Sequence, residues 1–218
     1  MTSQAPQQER SRLTRGRLLD AAVASLSEVG WAGTTVSVVA ARAGVSRGAS
    51  QHHFATRESL FAATVDHIAE LRLAELVSTE VTLPSGNGRT EAVLRRMVAV
   101  YTGPLFRAAL QIWAAAASDP VLRKQIVPLE AELGRLMHQH AVRLLGADER
   151  VPGVREAVQA SLDLARGLGL ADVLTDDSRR RSAVLRQWAR TLDQALATRP
   201  SGTRPSGTLS QGNDTGAG

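Results

Sequence analysis

The chain has 218 residues, room for one or two domains, and 43% of them are hydrophobic, enough to bury a core. Its formal net charge is +5, and its basic side chains are 25 Arg and the single Lys124, which suits a polyanionic partner and bidentate contacts to phosphate and guanine. The cysteine count is 0, which excludes disulfide and thiolate chemistry, and no apolar run approaches the roughly 20 residues that span a bilayer, so a soluble, cytoplasmic protein without membrane contact is expected.

Residues 1–10 are polar and read as a disordered arm, followed by Arg12, Arg15 and Arg17. Leu19, Ala22, Val23 and Leu26 recur at i, i+3, i+4 and i+7, which predicts a first helix ended by Gly30. Thr35 is the N-cap of a second helix bearing Val36, Val39, Ala40 and Ala43, and Gly44 breaks it. Ser46 caps a short third helix. Thr56 caps a long fourth one over about 57–78, with Glu58 complementing the helix dipole in its first turn.

A loop marked by Pro84, Gly86 and Gly88 follows. Further helices are predicted at about 89–101, 104–118, 120–145, 152–174 and 178–197. Pro128 should kink its helix or mark a change of segment. Gly167 and Gly169 weaken the eighth helix or let another helix approach closely. The last residues, 199–218, are rich in Pro, Gly, Ser and Thr and read as a disordered tail. There is no strand signal. The fold class is all-α with about nine helices: a three-helix, helix-turn-helix DNA-binding domain over 11–56 and a helical domain over 57–198.

The run from Gly30 to Leu60 resembles the tetracycline-repressor (TetR) family of transcriptional regulators. The resemblance rests on Gly30-Trp31-Ala32-Gly33-Thr34-Thr35-Val36, on Ala40 to Gly48, and on His53-Phe54-Ala55-Thr56-Arg57-Glu58-Ser59-Leu60. It implies a homodimer built mainly from the last two helices, a small-molecule pocket in the C-terminal domain, and release from a palindromic double-stranded operator when the effector binds. The chain departs from the family where a Tyr is usual, at Gln51, and where a large aliphatic is usual, at Ser50.

In a helix-turn-helix the second helix enters the major groove. Here that helix starts at Ser46, whose neighbouring amides suit a phosphate oxygen. Arg47, Ala49, Gln51, His52 and His53 are the candidates for base or phosphate contact, Arg47 first, because Arg bidentate to guanine is the commonest specific contact. Gly48 lets the helix sit deep in the groove. Thr35 and Ser37 are phosphate donors by position, Arg57 resembles a phosphate clamp, and Arg15 and Arg17 could reach the backbone or minor groove. Phe54 and Trp31 read as core.

A largely apolar effector would be lined by Met97, Tyr101, Phe106, Leu110, Trp113, Met137 and Leu168, with His67, Gln111, His138 and Asp172 as polar partners. Val158, Leu162, Ala165, Val184, Trp188, Thr191, Leu192 and Ala195 form helical stripes suited to a four-helix dimer interface. Arg179-Arg180-Arg181 reads as a solvated turn rather than a nucleic-acid patch.

Enzymatic readings fail. Gly44-Val45-Ser46-Arg47-Gly48 matches a hydrolase nucleophile signature, but that signature needs a strand before it. His52 and His53 diverge on a helix, as do His138 and His140, so no metal site is expected, and no cofactor. The Asn213-Asp214-Thr215 sequon lacks a secretory context. The alternative to a regulator is a helical small-molecule-binding or interaction protein that has lost DNA recognition, with Ser50 and Gln51 as its motive.

Overall fold

The computed structural model describes residues 4–77, 83–84, 86 and 88–197, and the tail expected over 199–218 lies outside them, as does the sequon. Among the described residues nine helices occur and no strand: α1 (Gln4–Gly33), α2 (Val36–Ala43), α3 (Arg47–His53), α4 (Arg57–Val77), α5 (Arg89–Val100), α6 (Gly103–Ser118), α7 (Pro120–Leu145), α8 (Val154–Asp172) and α9 (Ser178–Ala197). None of them is long and apolar enough to cross a membrane.

The arm expected over residues 1–10 is a correction: the chain is helical from Gln4. Gln, Glu and Arg are good helix formers, and the Glu9–Arg12 pair, 2.8 Å apart, closes one turn of helix. At Gly30 (φ 73, ψ −176) the chain leaves helical geometry, in a region closed to side chains with a Cβ. The Thr34 hydroxyl donates to the Gly30 carbonyl at 2.8 Å, and its oxygen lies 3.1 Å from that of buried Ser25.

Each short helix is capped as its sequence predicts. The Thr35 hydroxyl accepts from Val38 N–H (3.2 Å) and that of Ser46 from Ala49 N–H (3.2 Å). Thr56 and Ser59 cap reciprocally: Ser59 N–H donates to Thr56 Oγ1 (3.1 Å) and Thr56 N–H to Ser59 Oγ (3.2 Å). Each such cap satisfies otherwise orphaned amides and contributes about 1 kcal/mol.

Three apolar clusters organise the molecule. Leu18, Leu19, Ala22, Val39, Ala43, Phe54 and Leu60 close the small N-terminal unit. Val23, Leu26, Phe61, Val65, Ile68, Ala108, Ile112 and Leu122 join α1 and α4 to α6 and α7. The largest cluster unites α5, α6, α7, α8 and α9 around Val93, Met97, Tyr101, Phe106, Met137, Val158 and Leu192. α7 runs unbroken past Pro128, so no segment change occurs there.

Candidate nucleic-acid interface and effector cavity

The N-terminal unit holds α3 by one face only. Ser50 is 1% exposed and Phe54, the C-cap, 2%. Arg47, Gly48, Gln51 and His52 point outward and are exposed, while Ala49 and His53 are half-buried. Among the described residues Arg47 has no hydrogen bond and no ion pair. A Cβ added to Gly48 would meet nothing within 4 Å, so no contact inside the chain requires glycine there. Beside α3, an open groove of about 480 Å³ runs along the start of α1, past Arg10, Ser11 and Thr14 to Ala49, His52 and His53. Arg15 lays its guanidinium 4.9 Å from the Phe54 ring centroid. Burial, then His52 and Arg15, push the His53 imidazole below its ordinary value of 6.5.

Two arginines expected at DNA serve the fold instead. Arg57 donates from Nη2 to the Trp31 carbonyl at 2.6 Å and lies 4.9 Å from the Phe61 ring centroid and 5.4 Å from that of Trp31. Stacked Trp31 and Phe61, 4.0 Å apart, give it an aromatic bed, so the phosphate-clamp expectation is corrected. Arg17 donates from Nη2 to the Ala43 carbonyl at 2.5 Å and caps the end of α2. Thr35 and Ser37 share a hydroxyl contact of 3.0 Å at the start of α2. Arg180 pairs with Asp177 and Arg181 with Asp172, so the triple-arginine run is largely neutralised.

The C-terminal domain contains a cavity of about 260 Å³ lined by Val93, Arg96, Met97 and Val100 of α5, by Met137, His140, Ala141 and Leu144 of α7, and by Glu75, Ala99 and Leu162. Of the eleven residues expected to meet an effector, only Met97 and Met137 line it. His67 pairs instead with Asp20 at 2.8 Å, joining α4 to α1. Gln111 accepts from Trp31 N–H at 3.2 Å. His138 pairs with Glu149 at 2.8 Å, and Asp172 with Arg181. Tyr101 and Phe106 are packed edge to face, 5.6 Å apart, and Phe106 and Trp113 likewise at 5.9 Å. Leu168 is buried in the same cluster, and Leu110 is half-buried on α6 away from the cavity. Polar groups near an apolar helix face found partners inside the chain, which sequence spacing could not reveal.

The residues that sequence reasoning missed carried a signal. Val93, Arg96, Met97 and Val100 fall at i, i+3, i+4 and i+7, and so do Met137, His140, Ala141 and Leu144. In each stripe one polar side chain interrupts an apolar face at the same register.

Another polar centre lies close to that cluster. Arg72, 2% exposed, donates from Nη1 to Glu130 Oε1 at 2.8 Å, and the Trp113 indole donates to the same oxygen at 3.0 Å. This ties α4, α6 and α7 together. The Tyr101 hydroxyl, its pKa raised by burial, donates to Met137 Sδ at 3.4 Å and accepts from Arg166 at 3.3 Å.

The stripes expected at a dimer interface need a correction at four of their eight residues. Val158, Leu162, Ala165 and Leu192 are buried within the single chain, against α5 and α7. Trp188 is half-buried and donates to Ser161 Oγ at 2.9 Å. Val184 and Ala195 are half-buried, and only Thr191 is exposed. A helical stripe marks a core-facing side, and for those four buried residues the core belongs to the same subunit.

A capped, outward-facing α3 held by α1 and α2 on a helical body defines a helix-turn-helix DNA-binding regulator. Residues 18–64 match the sequence profile of "Bacterial regulatory proteins, tetR family". The HTH-type transcriptional regulator BetI of Burkholderia mallei is 28% identical over 194 residues, which is 86% of this chain and 95% of that protein. In fold, the chain is similar to a transcriptional regulator from Rhodococcus (TM-score 0.65, 21% identity, covering 85% of this chain and 99% of that one). It is also similar to a regulator from Saccharomonospora viridis in complex with choline (TM-score 0.61, 17% identity, covering 83% and 95%). Residues 18–64 carry the tetR-family DNA-binding unit, and over most of its length the chain is similar to transcriptional regulators of that kind. It is a DNA-binding regulator of transcription and not an enzyme.

Proposed function

We propose that the protein is a repressor that binds a palindromic operator as a homodimer in the cytoplasm and is released by a small molecule. The observation that carries this reading is the outer face of α3. Arg47, Gln51 and His52 are exposed on a helix whose own packing uses none of them. Arg47 would read a guanine, and Gln51, His52, His53 and Ala49 would meet bases or phosphates around it. Ser46, Thr35, Ser37 and Arg15 would contact the backbone. Two copies would set their α3 helices in successive major grooves about 34–36 Å apart.

The cavity supports control by a ligand, as does the choline complex of the similar fold. α4 connects the two regions. Arg57 at its start grips Trp31, and Glu75 near its end lines the cavity. An effector that prefers a shifted α4 by about 5.5 kcal/mol would turn a 99:1 population of the DNA-competent form into its reverse. The outer faces of α8 and α9, where Ala160, Gly167, Leu170, Ala183 and Thr191 are exposed, are the surface for the second subunit.

Selection of duplexes from a random pool by the full chain, followed by footprinting and light scattering, tests this. A symmetric footprint with two or more protomers per duplex is expected. A monomeric protein with no selected sequence would contradict it.

A further inference from the structure

The cavity's polar groups with free capacity are donors. The His140 Nδ1 atom lies 2.6 Å from Arg143 Nη2. A guanidinium only donates, so Nδ1 accepts, and the proton of the neutral imidazole sits on Nε2. Burial, with Arg143 and Arg96 nearby, lowers the His140 pKa from 6.5, in the direction of the neutral ring that this hydrogen bond requires. Nε2 is buried without a hydrogen-bond partner, on a residue that lines the cavity. A buried donor left unmade is unfavourable. Across the cavity on α5, half-buried Arg96 has no carboxylate or carbonyl partner among the described residues.

The opposite charge fits poorly. Among the described residues the lining includes no Phe, Tyr or Trp, so they form no aromatic cage for an ammonium. Among the described residues Glu75 is the one lining carboxylate. It stands with Ala99 on the exposed side, and partial burial raises its pKa against the opposing pull of Arg72. A cation beside it would also face Arg96. The remaining wall is apolar: Val93, Met97, Val100, Met137, Leu144 and Leu162. At about 30 Å³ per water-sized group, the 260 Å³ of space suits a small organic molecule.

We propose that this cavity binds a small organic acid, its apolar body against the α5 and α7 methionines and its carboxylate accepting from Arg96 and from His140 Nε2–H. The assignment rests on the effector-cavity reading above and names the chemical class of that effector.

Hexanoate, hexanamide and hexylamine share one skeleton and differ in charge, and titration calorimetry of each into the full chain tests the class. Hexanoate should bind about tenfold or more tightly than the other two, as expected for charge-assisted hydrogen bonds. Arg96→Gln should bring hexanoate down to the level of hexanamide and leave hexanamide unchanged, while Arg96→Lys keeps part of the preference. Preference for hexylamine, equal binding of all three, no binding of hexanoate, or an acid preference that survives Arg96→Gln would overturn it. Release of a selected duplex separates the two readings. Hexanoate that binds through Arg96 yet leaves the duplex bound upholds the ligand class and defeats effector control. Hexylamine that binds and releases the duplex does the reverse.

Discussion

Gly169 of α8 lies against the end of α5 so closely that a Cβ there would fall 2.0 Å from the Tyr101 carbonyl oxygen and 2.6 Å from the Tyr101 Cβ. Backbone, not a flexible side-chain tip, blocks the space. Two residues earlier, Gly167 is exposed on the single chain, and a Cβ there would meet nothing of the same chain within 4 Å. Gly169→Ala should therefore separate α8 from α5 and destabilise by about 1–3 kcal/mol or more. Gly167→Ala should stabilise by about 0.5–1 kcal/mol, because the helix gains propensity without a clash. Thermal unfolding of the two variants should move in opposite directions.

Arg72 and Glu130 should behave as a unit. Glu130→Ala leaves the Arg72 guanidinium buried without its carboxylate and the Trp113 indole without its acceptor. The expected loss is about 3 kcal/mol, toward the low end for a broken buried pair, since 32% of the Glu130 side chain stays in water. Denaturant unfolding of Arg72→Met, Glu130→Met and the double variant should give a double loss clearly smaller than the sum of the singles.

Two of the arginines that the sequence offered for DNA, Arg57 and Arg47, should separate cleanly. Arg57→Ala removes the clasp on the Trp31 carbonyl and the aromatic bed, so it should lower the melting temperature and weaken DNA binding through the fold. Arg47→Ala should leave the melting temperature unchanged and weaken DNA binding alone. Differential scanning fluorimetry beside anisotropy on a selected duplex reads both.

His53 gives a pH signature of definite sign. In the free protein its pKa is lowered by burial, His52 and Arg15. The unfolded chain thus holds the proton more tightly, and the His53 contribution to stability is present above its ordinary value of 6.5 and lost as pH falls through it. A phosphate beside the ring acts in the opposite direction, so the duplex complex takes up a proton. DNA affinity should strengthen as pH falls from about 7.5 to about 6, and His53→Gln should flatten that dependence. Affinity that weakens over this range would remove His53 from the interface.

The legible part of this protein was local. Caps at Thr35, Ser46 and Thr56, the break at Gly44 and the apolar stripes are short-range signals, and they specified eight of the nine helix positions closely; the start of α1 was misread because polar helix formers resemble a disordered arm in composition. The outward face of α3 was legible for the same reason. What spacing could not reveal was pairing across elements. Gln111 with Trp31, His67 with Asp20 and His138 with Glu149 lie 80, 47 and 11 residues apart in sequence. Each removed a polar candidate from the cavity. Leu162 was assigned to a dimer seam and lines the cavity, because a helical stripe reports burial and not the identity of what buries it.

The central claim is that α3 enters a DNA major groove with Arg47 at a base edge, and a salt titration of duplex binding by the wild type and Arg47→Ala tests it most directly. The account predicts a log–log slope near −0.9 per phosphate neutralised for the wild type. It further predicts a loss of about 1–3 kcal/mol in Arg47→Ala, with relaxed preference at one base pair. Binding that ignores ionic strength, or an Arg47→Ala variant with wild-type affinity and wild-type sequence preference, would contradict it.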